Sequence, residues 1–302
     1  MSSRRKIGAG SRREIGRRRH GKIGVGGRGH DKTARGKRGQ GPQRPAASET
    51  HDNPAAEKRA AGRLAADGRA AGNPAPEKLA ARNSATGRAV SDILAADKAR
   101  ALALFPVSRE TEKRLDRFID ALLRWQRRLN LVAPSTLPVL WTRHVADSLQ
   151  LPPLAPKART WVDLGSGGGF PGIVIACALA DEPAARVHLV ESNNKKAAFL
   201  REAVRAAAIP ATVHAMRAEK FGESCAESVD AVTARALAPL KTLCDQAFPF
   251  IARGAVALFP KGQDVDAELT EAAKYWRVEA TKVPSKTSPE GSIVVIHGLE
   301  AR

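Results

Sequence analysis

The sequence predicts an α/β protein, Rossmann-like, with a mostly parallel sheet flanked by helices on both faces. Three observations predict it. From Thr160 onward, short apolar runs alternate with helix-patterned segments. The first run, Trp161-Val162-Asp163-Leu164, breaks into Gly165-Ser166-Gly167-Gly168-Gly169-Phe170-Pro171-Gly172, a strand turning sharply into a helix. The second, Val187-His188-Leu189-Val190, ends in an acid, Glu191. Such alternation implies parallel strands covered on both faces, and ligands of these sheets sit at the carboxyl ends of the strands.

Taken in order, the first element is a tail. Residues 1–90 hold 22 Lys and Arg against 7 Asp and Glu, with no aromatic residue, so most of the net charge of +19 lies there. A segment rich in Gly, Ala, Arg and Pro cannot bury enough surface to offset chain ordering, and disorder is expected. Asn53–Ala61 recurs loosely as Asn73–Ala81 without an apolar face, which reads as low complexity. Two readings of the tail stand open: a polycationic arm for RNA, or translation that begins further along, near Val90 or Leu94.

A folded domain is then expected over 91–302, helical over 91–155 and α/β over 156–302. Leu115, Phe118, Ile119, Leu122, Trp125 and Leu129 recur at a helical period within 108–129, and Arg114, Arg117, Arg124, Arg127 and Arg128 take the other face. That face is either solvated or directed at RNA. A loop is expected at Asn130–Pro138 and a helix at 137–150, carrying Arg143, His144 and Asp147, the last two as a hydrogen-bonded pair one turn apart. Strands follow near 160–164, 187–191, 211–215, 229–233, 254–259 and 292–297, with helices near 171–180, 193–208, 238–250 and 264–275.

The glycine loop lets backbone adopt φ > 0 and lets a ligand approach closely, and Glu191 is placed to accept ribose hydroxyls. Both point to an adenosyl-type cofactor. Gly167-x-Gly169-x-x-Gly172 with Glu191 19 residues on also matches a dinucleotide fingerprint, so an NAD-binding oxidoreductase competes. Ile173-Val174 after Gly172 excludes a Walker loop. Asp163 at the strand end suits a cationic amino group, Phe170-Pro171 crowds a pyrophosphate, and Ala218-Glu219 after the third strand suits an adenine edge; these favour S-adenosylmethionine.

Other chemistries find no support. Cys177, Cys225 and Cys244 are far apart and form no metal or disulfide pattern, as expected of a reducing cytoplasm. No stretch reaches the ~20 apolar residues of a membrane span, and the first residues lack the apolar core of a secretory signal. No GxSxG, HExxH or paired-carboxylate motif is present, and no metal is expected.

Several segments in order resemble one family. Val162-Asp163-Leu164 through Ala176, Val190–Leu200, Thr233-Ala234-Arg235-Ala236-Leu237-Ala238-Pro239-Leu240, Phe259-Pro260-Lys261-Gly262, Asn130-Leu131 and Arg143-His144-Val145-Ala146-Asp147-Ser148 are similar to the bacterial small-subunit ribosomal RNA guanine-N7 methyltransferases (the RsmG, or GidB, family). The resemblance runs from about Ala101 to the C-terminus. It implies a class I S-adenosylmethionine-dependent fold, with cofactor contacts at Gly165, Phe170, Ala218, Glu219 and Arg235. With Asp163, Gly167, Gly169 and Glu191 these complete the expected cofactor set. It further implies methylation of one guanine in 16S rRNA, with the 30S subunit as partner; a monomer is expected. Arg235 and Lys261 are the candidate positioning residues, and Arg143 and Lys261 the candidate RNA contacts. Two features depart from the family: the tail, and Pro260 in place of an apolar residue before Lys261.

Overall fold

The computed structural model describes residues 91–302, which fall within one compact unit. The expected tail and its repeat lie outside the described residues. A first helix, α1, covers 91–104. The second, α2 (Arg109–Gln126), starts where Ser108 accepts the Thr111 amide at 3.1 Å, an N-cap satisfying one orphan donor. Leu115, Phe118, Ile119 and Leu122 form its buried face.

The expected helix at 137–150 is replaced by three short turns of different pitch. A 3₁₀ turn (Pro134–Val139) passes into a π turn (Trp141–Ala146) and one α turn, α3 (Asp147–Leu149). The reason lies in α1. Asp97 is fully buried and its Oδ2 accepts the backbone amides of Trp141 at 2.7 Å and Thr142 at 3.1 Å. Those amides are thereby drawn out of an α ladder already weakened by Pro138, whose missing N–H and fixed φ disfavour a helix interior.

The sheet follows: β1 (Thr160–Leu164), α4 (Gly172–Ala178), β2 (Arg186–Val190), α5 (Asn194–Ala207), β3 (Ala211–His214), α6 (Ala218–Ser224), β4 (Ala231–Thr233), α7 (Leu240–Ile251), β5 (Val256–Lys261), α8 (Val265–Ala272), β6 (Trp276–Pro284) and β7 (Ser292–Ala301). The seven strands run in the order β3-β2-β1-β4-β5-β7-β6. β1 to β5 are parallel, whereas β7 pairs antiparallel with both β5 and β6. This is the Rossmann-like, mostly parallel arrangement expected from the sequence. The switch point falls at β1, where the chain winds one way to β2 and β3 and the other way to β4 and β5.

Alternation along β1 sends Trp161 to one face, into a core with α2, α4 and α5, and Val162 and Leu164 to the other, with α6 and α7. Asp163 shares the face of Trp161 and lies under the start of α4. Pro260 sits within β5 opposite Ile293 of β7, beyond Leu258, the last residue paired with β4. A strand with one free side accommodates a residue lacking an N–H, so the substitution leaves the backbone before Lys261 regular. No helix among the described residues is long and apolar enough to cross a membrane.

Candidate active site

The site is built where β1, β2 and β4 end. After Leu164 the chain turns through Gly165 at φ +68°. A Cβ there would fall 2.5 Å from the end of the exposed Leu237 side chain, which can shift aside, so it is the backbone conformation that demands glycine. Glu191 fastens this loop to the next strand. Its Oε2 accepts the Gly167 amide at 2.9 Å and its Oε1 the Asn193 amide at 2.7 Å.

Asp163 lies beneath the loop, fully buried, and its Oδ2 accepts the Gly172 amide at 3.1 Å. Its other oxygen has no hydrogen-bond partner among the described residues. Burial pushes this carboxyl up to about 7, against the hydrogen bonds that favour the ionised form.

Three clefts open around the loop. The first, about 240 Å³, is lined by Gly165, Gly167, Glu191, Ala218, Glu219 and Leu237 among others. The second, about 260 Å³, takes Gly165, Gly167, Phe170, Lys196, Arg235 and His144. The third, about 320 Å³, lies between the π turn, the end of β5, α8 and the β6–β7 connection. Arg143, His144, Asp147, Arg235, Lys261 and Glu268 line it. Ala236 is the residue common to all three. Asp163 and Gly169 line none of them; Gly169 turns beneath Phe118 and Ile173.

Arg235 leaves the end of β4 and joins the second cleft to the third. Its Nη1 donates to Asp147 Oδ2 at 3.1 Å and to the Arg143 carbonyl at 3.2 Å, and its Nη2 donates to His144 Nδ1. The guanidinium also lies over the Phe170 ring, 5.4 Å from its centroid, while His144 stacks on the same ring at 5.0 Å. His144 Nε2 pairs with Thr136 Oγ1 at 2.9 Å. Burial, with the charges of Arg235 and Arg143, lowers the imidazole to about 3, so His144 is neutral and accepts from Arg235. The direct His144–Asp147 bond expected from the sequence is absent: the π turn breaks the helical spacing, and Arg235 stands between the two.

Lys261, at the end of β5, is held by Glu268 Oε2 at 2.6 Å and by the Ala238 carbonyl at 3.2 Å. Glu219 is tied to Gln246 at 2.7 Å, a bond that holds its carboxyl below the usual range. On α2, Arg114 pairs with Asp181 at 2.6 Å and Arg124 lies 3.7 Å from Glu202, whereas Arg117, Arg127 and Arg128 are exposed. Sequence reasoning missed Leu237, Lys196, Gln246 and Glu268. The first two stand inside recognised segments; Gln246 and Glu268 carry no local signal and reach the clefts only through packing of α7 and α8.

The family model described as "GidB: rRNA small subunit methyltransferase G" matches residues 111–294. Proteins named "Ribosomal RNA small subunit methyltransferase G" are similar to the chain. One from Bradyrhizobium sp. (strain ORS 278) is 61% identical over 214 residues, spanning 71% of this chain and 96% of its own. One from Nitrobacter hamburgensis is 57% identical over 215 residues, spanning 71% and 83%. One from Rhodopseudomonas palustris (strain HaA2) is 58% identical over 200 residues, spanning 66% and 84%. The chain belongs to the rRNA small subunit methyltransferase G family.

Proposed function

We propose that this protein transfers a methyl group from S-adenosylmethionine to N7 of a guanine in small-subunit ribosomal RNA. The observation that carries this reading is the meeting of three clefts at Ala236: two beside the glycine loop, and one lined by Arg143, Arg235 and Lys261. The donor set fits the cofactor. Glu191 stands at the end of β2 for the ribose, Ala218 and Glu219 border the adenine, and the bare backbone of Gly165 and Gly167 leaves room for the methionine end. Asp163 fixes that loop from below through Gly172.

When bound, S-adenosylmethionine supplies an electrophilic methyl group on a sulfonium, and guanine N7 meets it with an in-plane lone pair and no proton to lose. The protein therefore needs no general base, and its work is positioning, which is worth up to ~7–11 kcal/mol in ideal cases. Arg235, braced by Asp147 and His144, orients the base or a neighbouring phosphate toward the methyl donor. Arg143 and Lys261 contact RNA, and the exposed arginines at the end of α2 add sequence-independent affinity. RNA's deep major groove hides N7 from side chains, so the target is presented unpaired, within the 30S subunit, to a cytoplasmic monomer.

The test has two arms. Calorimetry is expected to show S-adenosylhomocysteine binding and no NAD binding. Unmethylated 30S subunits incubated with labelled cofactor are expected to yield 7-methylguanosine in 16S rRNA; label elsewhere, or none, overturns the reading.

A further inference from the structure

We propose that the third cleft is the nucleobase site and that the Lys261–Glu268 ion pair reads the O6/N1–H edge of the target guanine. This rests on the guanine reading above and deepens it.

The cleft has the size of a small-ligand site, about 320 Å³. It shares Arg235, Ala236 and His144 with the donor-side cleft. A purine whose N7 faces that junction turns its edge outward in a fixed order: O6 next to N7, then N1–H, then the N2 amino group. The wall from the junction outward runs from Arg235, at the end of β4, to Lys261 and Glu268.

Two carboxylates line the cleft, and only one is available. Asp147 is buried and engaged at both oxygens: Oδ1 accepts from Gln150 at 2.9 Å and Thr287 at 2.6 Å, and Oδ2 from Arg235. Glu268 is held through Oε2 alone, by the Leu240 amide and by Lys261 Nζ, each at 2.6 Å. Its Oε1 takes no hydrogen bond among the described residues, and the side chain remains 25% exposed. Lys261 has three donors, of which Glu268 and the Ala238 carbonyl take two. Lys261 thus keeps one ammonium N–H and Glu268 one carboxylate oxygen without a partner among the described residues, on two anchored side chains joined at 2.6 Å. Guanine presents the matching pair, an acceptor at O6 beside a donor at N1. Adenine presents the reverse, an N6 donor beside an N1 acceptor, and meets like with like on both atoms.

The test replaces the target guanosine by 2,6-diaminopurine riboside, ligated into 16S rRNA and assembled into 30S subunits. This base keeps N7 and the N2 amino group and inverts only the O6/N1–H pair. Formation of 7-methylguanosine on ordinary subunits by wild-type protein checks the parent reading separately. If that holds, the wild type is expected to methylate the diaminopurine subunits about 100-fold more slowly, the discrimination of a good bidentate contact; equal rates overturn the inference. Glu268→Gln, whose amide can face either base, is expected to slow the guanosine reaction and shrink the ratio to below about tenfold. A residue that merely braces α7 would lower both rates together and leave the ratio intact, which also overturns the inference. Binding of S-adenosylhomocysteine within threefold of wild type verifies the fold of the variant. Should Glu268→Gln fail that check, Lys261→Met is judged on the same ratio.

Discussion

Arg235 Nη1 meets Asp147 Oδ2 at 3.1 Å, with side chains only 16% and 8% exposed. The pair joins the end of β4 to the turn after the π segment, and so joins the cofactor half of the site to the RNA half. Removing one member of a buried pair strands the other, at a cost of about 3–5 kcal/mol. Asp147→Ala is therefore expected to lose about that much stability in urea unfolding, and transfer with it. Arg235→Lys keeps the charge but not the fork that spans Asp147 and His144. It is expected to lose transfer on 30S subunits by roughly 100-fold while unfolding within about 1.5 kcal/mol of wild type. An Arg235→Lys variant with full activity would remove Arg235 from the positioning role.

His144 carries a signature in pH. Its imidazole is lowered to about 3 in the folded protein, against about 6.5 when unfolded. Between those values the unfolded chain binds a proton that the folded one does not, so stability falls as pH drops below 6.5. Relative to His144→Asn, which can still accept from Arg235 but does not titrate, wild type is expected to lose up to about 2 kcal/mol between pH 6.5 and 5. Parallel curves for the two proteins would mean that His144 ionises freely, and the Arg235–His144 contact would fall with it.

Asp163 has the opposite sign. Its folded carboxyl sits at about 7, well above its unfolded value of about 3.9. Below pH 7 the folded protein keeps a proton that the unfolded chain has released, so this group's contribution grows as pH falls and is complete below the unfolded value. Asp163→Asn retains an acceptor for the Gly172 amide and does not titrate. Wild type is expected to gain on this variant by at most about 1.4 kcal/mol per unit as pH falls from 7 to 5. Over the same interval the His144 term runs the other way, so the wild-type profile alone hides both. The three-way comparison of urea midpoints separates them, and a difference independent of pH would show Asp163 ionised throughout.

Much of this candidate site is legible in the sequence, for identifiable reasons. The glycine loop, Glu191 and Ala218-Glu219 follow strands whose apolar runs announce them, and position at a strand end is a local property. Arg235 stood out because a charge interrupts apolar neighbours. The segment at 137–150 was misread because its geometry is set by Asp97, some 44 residues away, which captures two amides. The strand β6 carries no apolar run to mark it, because it is an edge strand with most of its residues exposed. The α6 turn, seven residues long, is too short to show a period. Glu268 belongs to the same class as Asp97: an acid on an ordinary helix face whose partners, Lys261 and Leu240, are chosen by tertiary packing.

Ala236 supplies the last prediction. It adopts φ +53°, a left-handed conformation that costs a residue with a Cβ roughly 1–2 kcal/mol, and it is the residue shared by the three clefts. A glycine there removes the strain and frees the unfolded chain, two effects that nearly cancel. Ala236→Gly is thus expected to unfold within about 1 kcal/mol of wild type and to retain transfer. A β-branched residue is an outlier at positive φ, and its methyl groups would project into the junction where donor and acceptor meet. Ala236→Val is expected to weaken S-adenosylhomocysteine binding in calorimetry and to abolish detectable label in 16S rRNA. A valine variant that binds and transfers normally would show that the three clefts do not work as one site.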